Sequence, residues 1–175
     1  MSTPIHPDLQ RLLDKQEIVE LCAVYMRGLD RLDRTLIRSV YHDDATDHRG
    51  FFTGNPDEFA DFAITALRDH LSNHHMIGQT HIDIEGDVAF GEIYFQAFHR
   101  IIDQGQEKDF IVLGRYIDRY ERRNGRWKIA HRSELNDACS MTPATDDWLK
   151  STPMALRGAR GAEDLSSQRE KIRTL

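Results

Sequence analysis

Cysteine is scarce: Cys22 and Cys139 are the two in 175 residues. Cys22 falls in an apolar helical pattern and Cys139 in a polar stretch far down the chain. That implies neither a disulfide framework nor a zinc pair, and it fits a reducing compartment. Long apolar runs are missing too, since no stretch approaches the ~18 apolar residues of a spanning helix. The opening Met1-Ser-Thr-Pro-Ile-His-Pro lacks the basic start and apolar centre of a secretory signal, so the expected location is cytoplasmic. No basic stripe is visible and the net charge is -6, which speaks against nucleic acid and membrane as partners. No Gly-rich loop precedes a helix, so neither nucleotide fingerprint is present, and no Gly-x-Ser-x-Gly elbow marks a serine hydrolase. Nine histidines raise the question of a metal. There is no His-Glu-x-x-His, no Cys-x-x-Cys and no helical His pair at i, i+4, so no metal site is expected.

What is present is an ordinary globular composition, with 39% hydrophobic and 30% charged residues, which excludes a disordered chain. One domain of this length buries roughly 70% of its unfolded surface and needs no disulfide or metal to hold it.

Along the chain, residues 1–13 read as an N-terminal arm, 14–140 as the folded domain and 141–175 as a C-terminal extension. Asp14 reads as a helix cap with Glu17 completing a capping box, and Ile18, Leu21, Cys22, Tyr25 and Leu29 follow at helical spacing over 15–32. A short helix is expected over 35–41 and a short strand over 45–52. Asn55, Pro56 and Glu58 open a third helix, whose apolar face is Phe59, Phe62, Ala63, Ala66 and Leu67 and which should end near Leu71. The pattern then changes to strands over 75–84, 88–102, 110–121 and 127–135, with turns at Gly86 and at Asn124-Gly125. Helices followed by an antiparallel meander make the class α+β.

The chemistry-bearing candidates are polar groups in apolar surroundings. Tyr25 and Asp30 lie in the second half of the first helix. His75 opens the first long strand. His99 shares a strand face with Ile93, Phe95, Ala97 and Ile101, where a histidine needs a partner or a task. Each has an ordinary reading beside this one: Asp30 as a cap or a partner for Arg31 or Arg34, His99 as a satisfied core histidine, Tyr25 as core, His75 as a strand start. Cys22 reads as buried, which argues against a thiol nucleophile.

Three blocks of sequence carry a resemblance: Tyr25-Met-Arg-Gly-Leu-Asp30; Asn73-His-His-Met-Ile-Gly-Gln-Thr80 with Ile82 to Ala89; and Tyr120 through the Asn-Gly turn to Ala130. In order and spacing they resemble the SnoaL-like branch of the nuclear-transport-factor-two-like superfamily over about residues 10 to 136. The resemblance implies a cone-shaped α+β barrel, in which a strongly curved, mainly antiparallel sheet packs on three N-terminal helices around one cavity. The functional analogues are scytalone dehydratase and bile-acid 7α-dehydratase. His75 resembles the catalytic histidine of both, and Asp30 its supporting aspartate. Tyr25 resembles the active-site tyrosine of the bile-acid enzyme. His99 resembles the second catalytic histidine of scytalone dehydratase, and His48 falls where that enzyme has a pocket tyrosine. Two departures are Leu29, where scytalone dehydratase has a tyrosine, and Tyr116, where it has an asparagine. Phe95, Tyr116, His48 and Trp127 are the expected substrate-binding residues, with Phe51, Phe52, Phe59 and Phe62 as further wall.

The resemblance implies a cofactor-independent lyase for a small hydrophobic, aromatic or polycyclic hydroxylated substrate, acting as a dehydratase or as a retro-aldol lyase that releases a small aldehyde. Three other readings of the fold are the non-catalytic small subunit of a ring-hydroxylating dioxygenase, an isomerase or cyclase, and a ligand-binding module. A homo-oligomer, trimer ahead of dimer, is expected. Phe90, Tyr94 and Phe98 share one strand face while Ile93, Phe95 and Ile101 share the other, and helices cover one face only.

Overall fold

About seven turns of one helix set the frame. In the computed structural model, which describes residues 5–174, α1 runs Pro7–Arg31. It begins earlier than the sequence predicts. His6 caps it by accepting from the Asp8 N–H, with Pro7 in the first turn. The N-terminal arm expected over 1–13 is therefore helical from Pro7, and residues 1–4 lie outside the described residues. Asp14 is not a cap. It is buried mid-helix, and one of its oxygens accepts from the Trp127 indole at 3.0 Å and from Arg122 at 2.8 Å. Asp14 reads as a helix start because Glu17 follows at capping-box spacing; its carboxylate ties α1 to the sheet instead.

α1 stops at Leu32, which takes a left-handed conformation with φ 51°. Asp33 then caps α2 (Arg34–Ser39) by accepting from the Leu36 N–H. This removes the capping role from Asp30. Arg34 is also engaged elsewhere, on Asp57 and Asp61.

α3 (Pro56–Leu67) starts as its sequence dictates: Asn55 accepts from the N–H groups of Asp57 and Glu58, and Glu58 reaches back to Asn55. It ends four residues before the expected Leu71.

β1 (Tyr41–His48) and β2 (Thr53–Gly54) precede α3. β3 (Ser72–Glu85), β4 (Val88–Asp103), β5 (Gln106–Arg123) and β6 (Arg126–Pro143) follow as a meander. The six strands form one curved, unclosed sheet in the order β2-β1-β6-β5-β4-β3. Only the β1–β6 pairing is parallel. Register shifts at Ile77/Thr80 and Leu113/Gly114 mark where the long strands bend.

On β4 the alternation is clean. Ala89, Ile93, Phe95, Ala97 and His99 are buried against the helices, while Phe90 and Tyr94 face outward. Gly114 lies opposite Phe95. A Cβ there would stand 2.7 Å from the Phe95 ring and 2.4 Å from the Leu135 carbonyl, so glycine is what lets that ring lie flat on Tyr116. β6 runs to Pro143, past the boundary expected at 140. The remaining chain folds back in short turns, among them α4 (Asp147–Ser151) and α5 (Arg169–Ile172). No helix among the described residues is long and apolar enough to cross a membrane.

Candidate active site

A cavity of about 580 Å³ lies between α1, α3 and the concave face of the sheet. Tyr25, His75, His99, Phe95 and Tyr116 line it, together with Phe51, Phe59 and Phe62. Its wall is apolar except at two ends.

At one end are histidines. His75 Nδ1 lies 2.7 Å from Asp30 Oδ1, and the His75 backbone N–H donates to both Asp30 oxygens at 3.1 Å. The two side chains are only 6% and 12% exposed. A carboxylate accepts and does not donate, so it places the imidazole proton on Nδ1 and leaves Nε2 as the free nitrogen. Asp30 itself stands behind the cavity wall and acts through His75. The His99 ring meets the His75 ring edge-on at 5.1 Å, and His70 meets His99 at 5.0 Å. Burial, then the neighbouring His75 and His70, push His99 down to about 3, so its ring is neutral through the physiological range. His70 is also lowered, chiefly by burial.

At the other end is a buried ion network. Arg49 donates to Asp47 at 2.6 and 2.9 Å, to the Tyr25 hydroxyl at 2.9 Å and to Glu134. Its guanidinium sits 3.8 Å over the Phe59 ring. Behind it Arg132 pairs with Asp118 at 2.7 and 2.8 Å, both fully buried, and lies 4.0 Å from the centre of the Tyr116 ring. Tyr25 accepts from Arg49, which leaves its own proton to give. Burial raises its pKa against the lowering effect of Arg49 and Arg132, so the hydroxyl stays protonated as a donor.

Six of the eight residues expected at the site therefore meet: Tyr25, His75, His99, Phe95 and Tyr116 on the cavity, with Asp30 supporting His75. Two do not. His48 is exposed, because alternation along β1 turns Ala45, Asp47 and the following Arg49 inward and sends His48 out. Trp127 is buried in the core against Asp14, outside the cavity lining. Phe52 packs on the core beside Phe59 instead of lining the wall.

Sequence reasoning missed Arg49, Glu134, His70 and Asn73. Asp47-His-Arg49 offered a signal, since acidic and basic residues two apart on a strand share a face. Cys139, on β6, is exposed and lines the same cavity, whereas Cys22 is buried. Among the described residues no group of three or more His, Cys, Asp or Glu side chains is arranged to hold a metal ion.

A curved sheet closed by helices over one cavity is the cone of the nuclear-transport-factor-two-like superfamily. Residues 10–133 match the SnoaL-like domain, and the chain belongs to that family. No curated protein matches the sequence. Among solved structures it is similar to the hexachlorocyclohexane dehydrochlorinase LinA-type3 of Novosphingobium barchaimii. The identity is 21%, covering 79% of this chain and 95% of that one, with a TM-score of 0.68. It is also similar to a candidate scytalone dehydratase of Novosphingobium aromaticivorans, at 18% identity over 87% and 95% of the two chains, TM-score 0.65. A candidate aromatic ring hydroxylase of the same organism matches at 18% identity over 78% and 96%, TM-score 0.66. At these identities the likeness is one of fold.

Proposed function

We propose that the protein is a lyase that works by acid–base catalysis on a small hydrophobic, aromatic or polycyclic hydroxylated substrate, without metal or organic cofactor. The observation that carries this reading is the Asp30–His75 pair, 2.7 Å apart, which turns a free imidazole nitrogen toward an apolar cavity. A volume of about 580 Å³ suits a ligand of that class.

In a dehydration, His75 Nε2 takes a proton from the carbon next to the one that bears the hydroxyl. The C–H electron pair forms the new double bond as the C–O bond breaks, and the same proton returns to the departing oxygen, which leaves as water. Asp30 holds the ring and stabilises the imidazolium between the two transfers. Tyr25 donates to the oxygen on which charge develops. Tyr25 and Asp30 are five residues apart on α1, about 7.5 Å along its axis. A substrate about one or two rings long therefore reaches both ends of the cavity. Arg49 and Glu134 orient its far polar group.

The names of two structural neighbours, a dehydrochlorinase and a candidate dehydratase, both describe eliminations and favour this reading. The same groups serve retro-aldol cleavage, where His75 takes a hydroxyl proton and the adjacent C–C bond breaks to release an aldehyde. The dioxygenase-subunit reading requires a filled cavity, and this one is open.

The protein is further proposed to be a cytoplasmic homo-oligomer, trimer ahead of dimer, joined through the outer sheet face. Phe90, Tyr94, Leu113 and Ile117 stand there between 37% and 47% exposed. A monomer by light scattering at micromolar concentration contradicts that assembly.

The functional test is a screen of hydroxylated aromatic and polycyclic compounds, with products read by mass. Loss of water marks a dehydratase and loss of a small aldehyde a C–C lyase. Chelator-treated protein should keep its turnover. Activity restored only by added metal overturns the reading, as does full turnover in His75→Ala.

A further inference from the structure

The match to the SnoaL-like domain ends at residue 133, yet a side chain well beyond it reaches the histidine end of the cavity. Arg160 donates to the carbonyls of Leu67 at 3.2 Å, Arg68 at 2.8 Å and His70 at 2.7 Å. The Leu67 and Arg68 carbonyls close α3, where Leu67 otherwise accepts from the His70 N–H at 3.2 Å, and α3 has no basic residue in its own last turn. The segment that carries Arg160 is tied to α1. Arg31 reaches the Ala159 carbonyl at 3.4 Å and Arg27 reaches Ser166 at 2.8 Å. Buried Asp164 accepts from the Ala159 N–H at 2.9 Å.

The same Arg160 Nη2 stands 3.1 Å from the Asn73 amide. A guanidinium only donates, so the amide oxygen must face it. The amide nitrogen is then turned to His70 Nδ1 at 2.9 Å, the Ser72 carbonyl at 3.1 Å and His99 Nδ1 at 3.1 Å, with two hydrogens shared among three acceptors. An imidazole that accepts at Nδ1 carries its proton on Nε2.

We propose that Arg160 is a positioning residue for His99: through Asn73 it fixes the tautomer that makes His99 an Nε2–H donor at the cavity. His75 and His99 are then not interchangeable. Asp30 leaves His75 a bare Nε2, which is a base. Asn73 leaves His99 a protonated Nε2, which hydrogen-bonds a substrate oxygen and holds it while His75 moves the proton. In the opposite amide orientation, donor would face donor at Arg160, and His99 would be a second base. His99 in this role belongs to the reading of His75 and Asp30 as an acid–base pair. The tautomer itself does not depend on that reading.

The test is long-range 1H–15N correlation on full-length protein labelled at histidine, with His99 assigned by His99→Gln. Wild type should show His99 Nδ1 unprotonated and Nε2 protonated at neutral pH. Asn73→Asp replaces the amide with an acceptor-only group and should move the proton to Nδ1. Arg160→Gln should give a mixture of tautomers, and Arg160→Lys should largely restore the wild-type form. On a turned-over substrate, Arg160→Gln should lower kcat about tenfold, the size of one hydrogen bond lost in the transition state, with KM nearly unchanged. A wild-type His99 protonated on Nδ1 overturns the proposal, and so does an unchanged tautomer in Arg160→Gln. The expected tautomers together with full turnover in His75→Ala would sink the catalytic reading and leave the Arg160 relay standing.

Discussion

The two ends of the cavity are polar in different ways. At the arginine end Arg49 is bonded to Asp47, Glu134 and Tyr25, and Arg132 to Asp118, so charge meets opposite charge. At the histidine end Asp30 is the carboxylate that pairs with a ring, and each of His75 and His99 keeps one ring nitrogen uncommitted. Paired charges fix geometry and free ring nitrogens exchange protons. Substitutions should therefore cost stability at the arginine end and rate at the histidine end.

The steepest loss should come at the histidine end. His75→Ala should lose about 10²- to 10⁴-fold in kcat/KM, the usual worth of a positioned acid–base group, with the unfolding midpoint little moved. Asp30→Asn should lose nearly as much. The double variant should be little worse than either single one, because the pair acts as a unit. Additive losses, measured by steady-state kinetics, would mean the two groups work separately.

The other end should respond in the opposite sense. Arg132→Leu leaves Asp118 buried without its partner and should destabilise the fold by about 3–5 kcal/mol in denaturant titration. A stable Arg132→Leu protein with lost turnover would reverse the comparison.

The third effect is a dependence on pH. His99 is held near 3 in the fold, below its ordinary 6.5, so the unfolded chain binds that proton first as pH falls. The stabilisation is present above about pH 6.5 and is lost as pH falls toward the folded value. His70 shifts in the same direction and adds to the trend. Wild type should therefore lose more melting temperature than His99→Gln between about pH 7.5 and pH 5. Equal losses would place the sensitivity elsewhere.

The smallest effect should be at His48. His48→Ala should change stability by less than about 0.5 kcal/mol and leave turnover intact, since this side chain faces outward. A large loss of rate would return His48 to the site.

What the sequence made legible is what local chemistry determines. Asn55, Pro56 and Glu58 announced α3, and Asn124-Gly125 announced the last hairpin, because caps and turns are decided within a few residues. Asp30 and His75 were legible through the family resemblance; no local pattern pairs residues 45 apart. Arg49 and Glu134 stayed hidden because they meet through the parallel β1–β6 pairing, which joins the strand before α3 to the last strand of the meander. Asp14 misled for a related reason. Its partners, Trp127 and Arg122, lie more than a hundred residues away. Asn73 and Arg160 were silent as well, since an amide and a distal arginine carry no periodic signal.

The placement of the two thiols gives the chain a built-in gauge of occupancy. Cys139 is exposed on the cavity wall, and Cys22 is sealed in the core. A small alkylating reagent should therefore modify one position in the native protein. Any molecule that fills the cavity should slow that modification in proportion to the fraction bound. A compound library can be sorted this way by mass spectrometry before any reaction has been observed, and the compounds that protect Cys139 are the ones to assay for turnover.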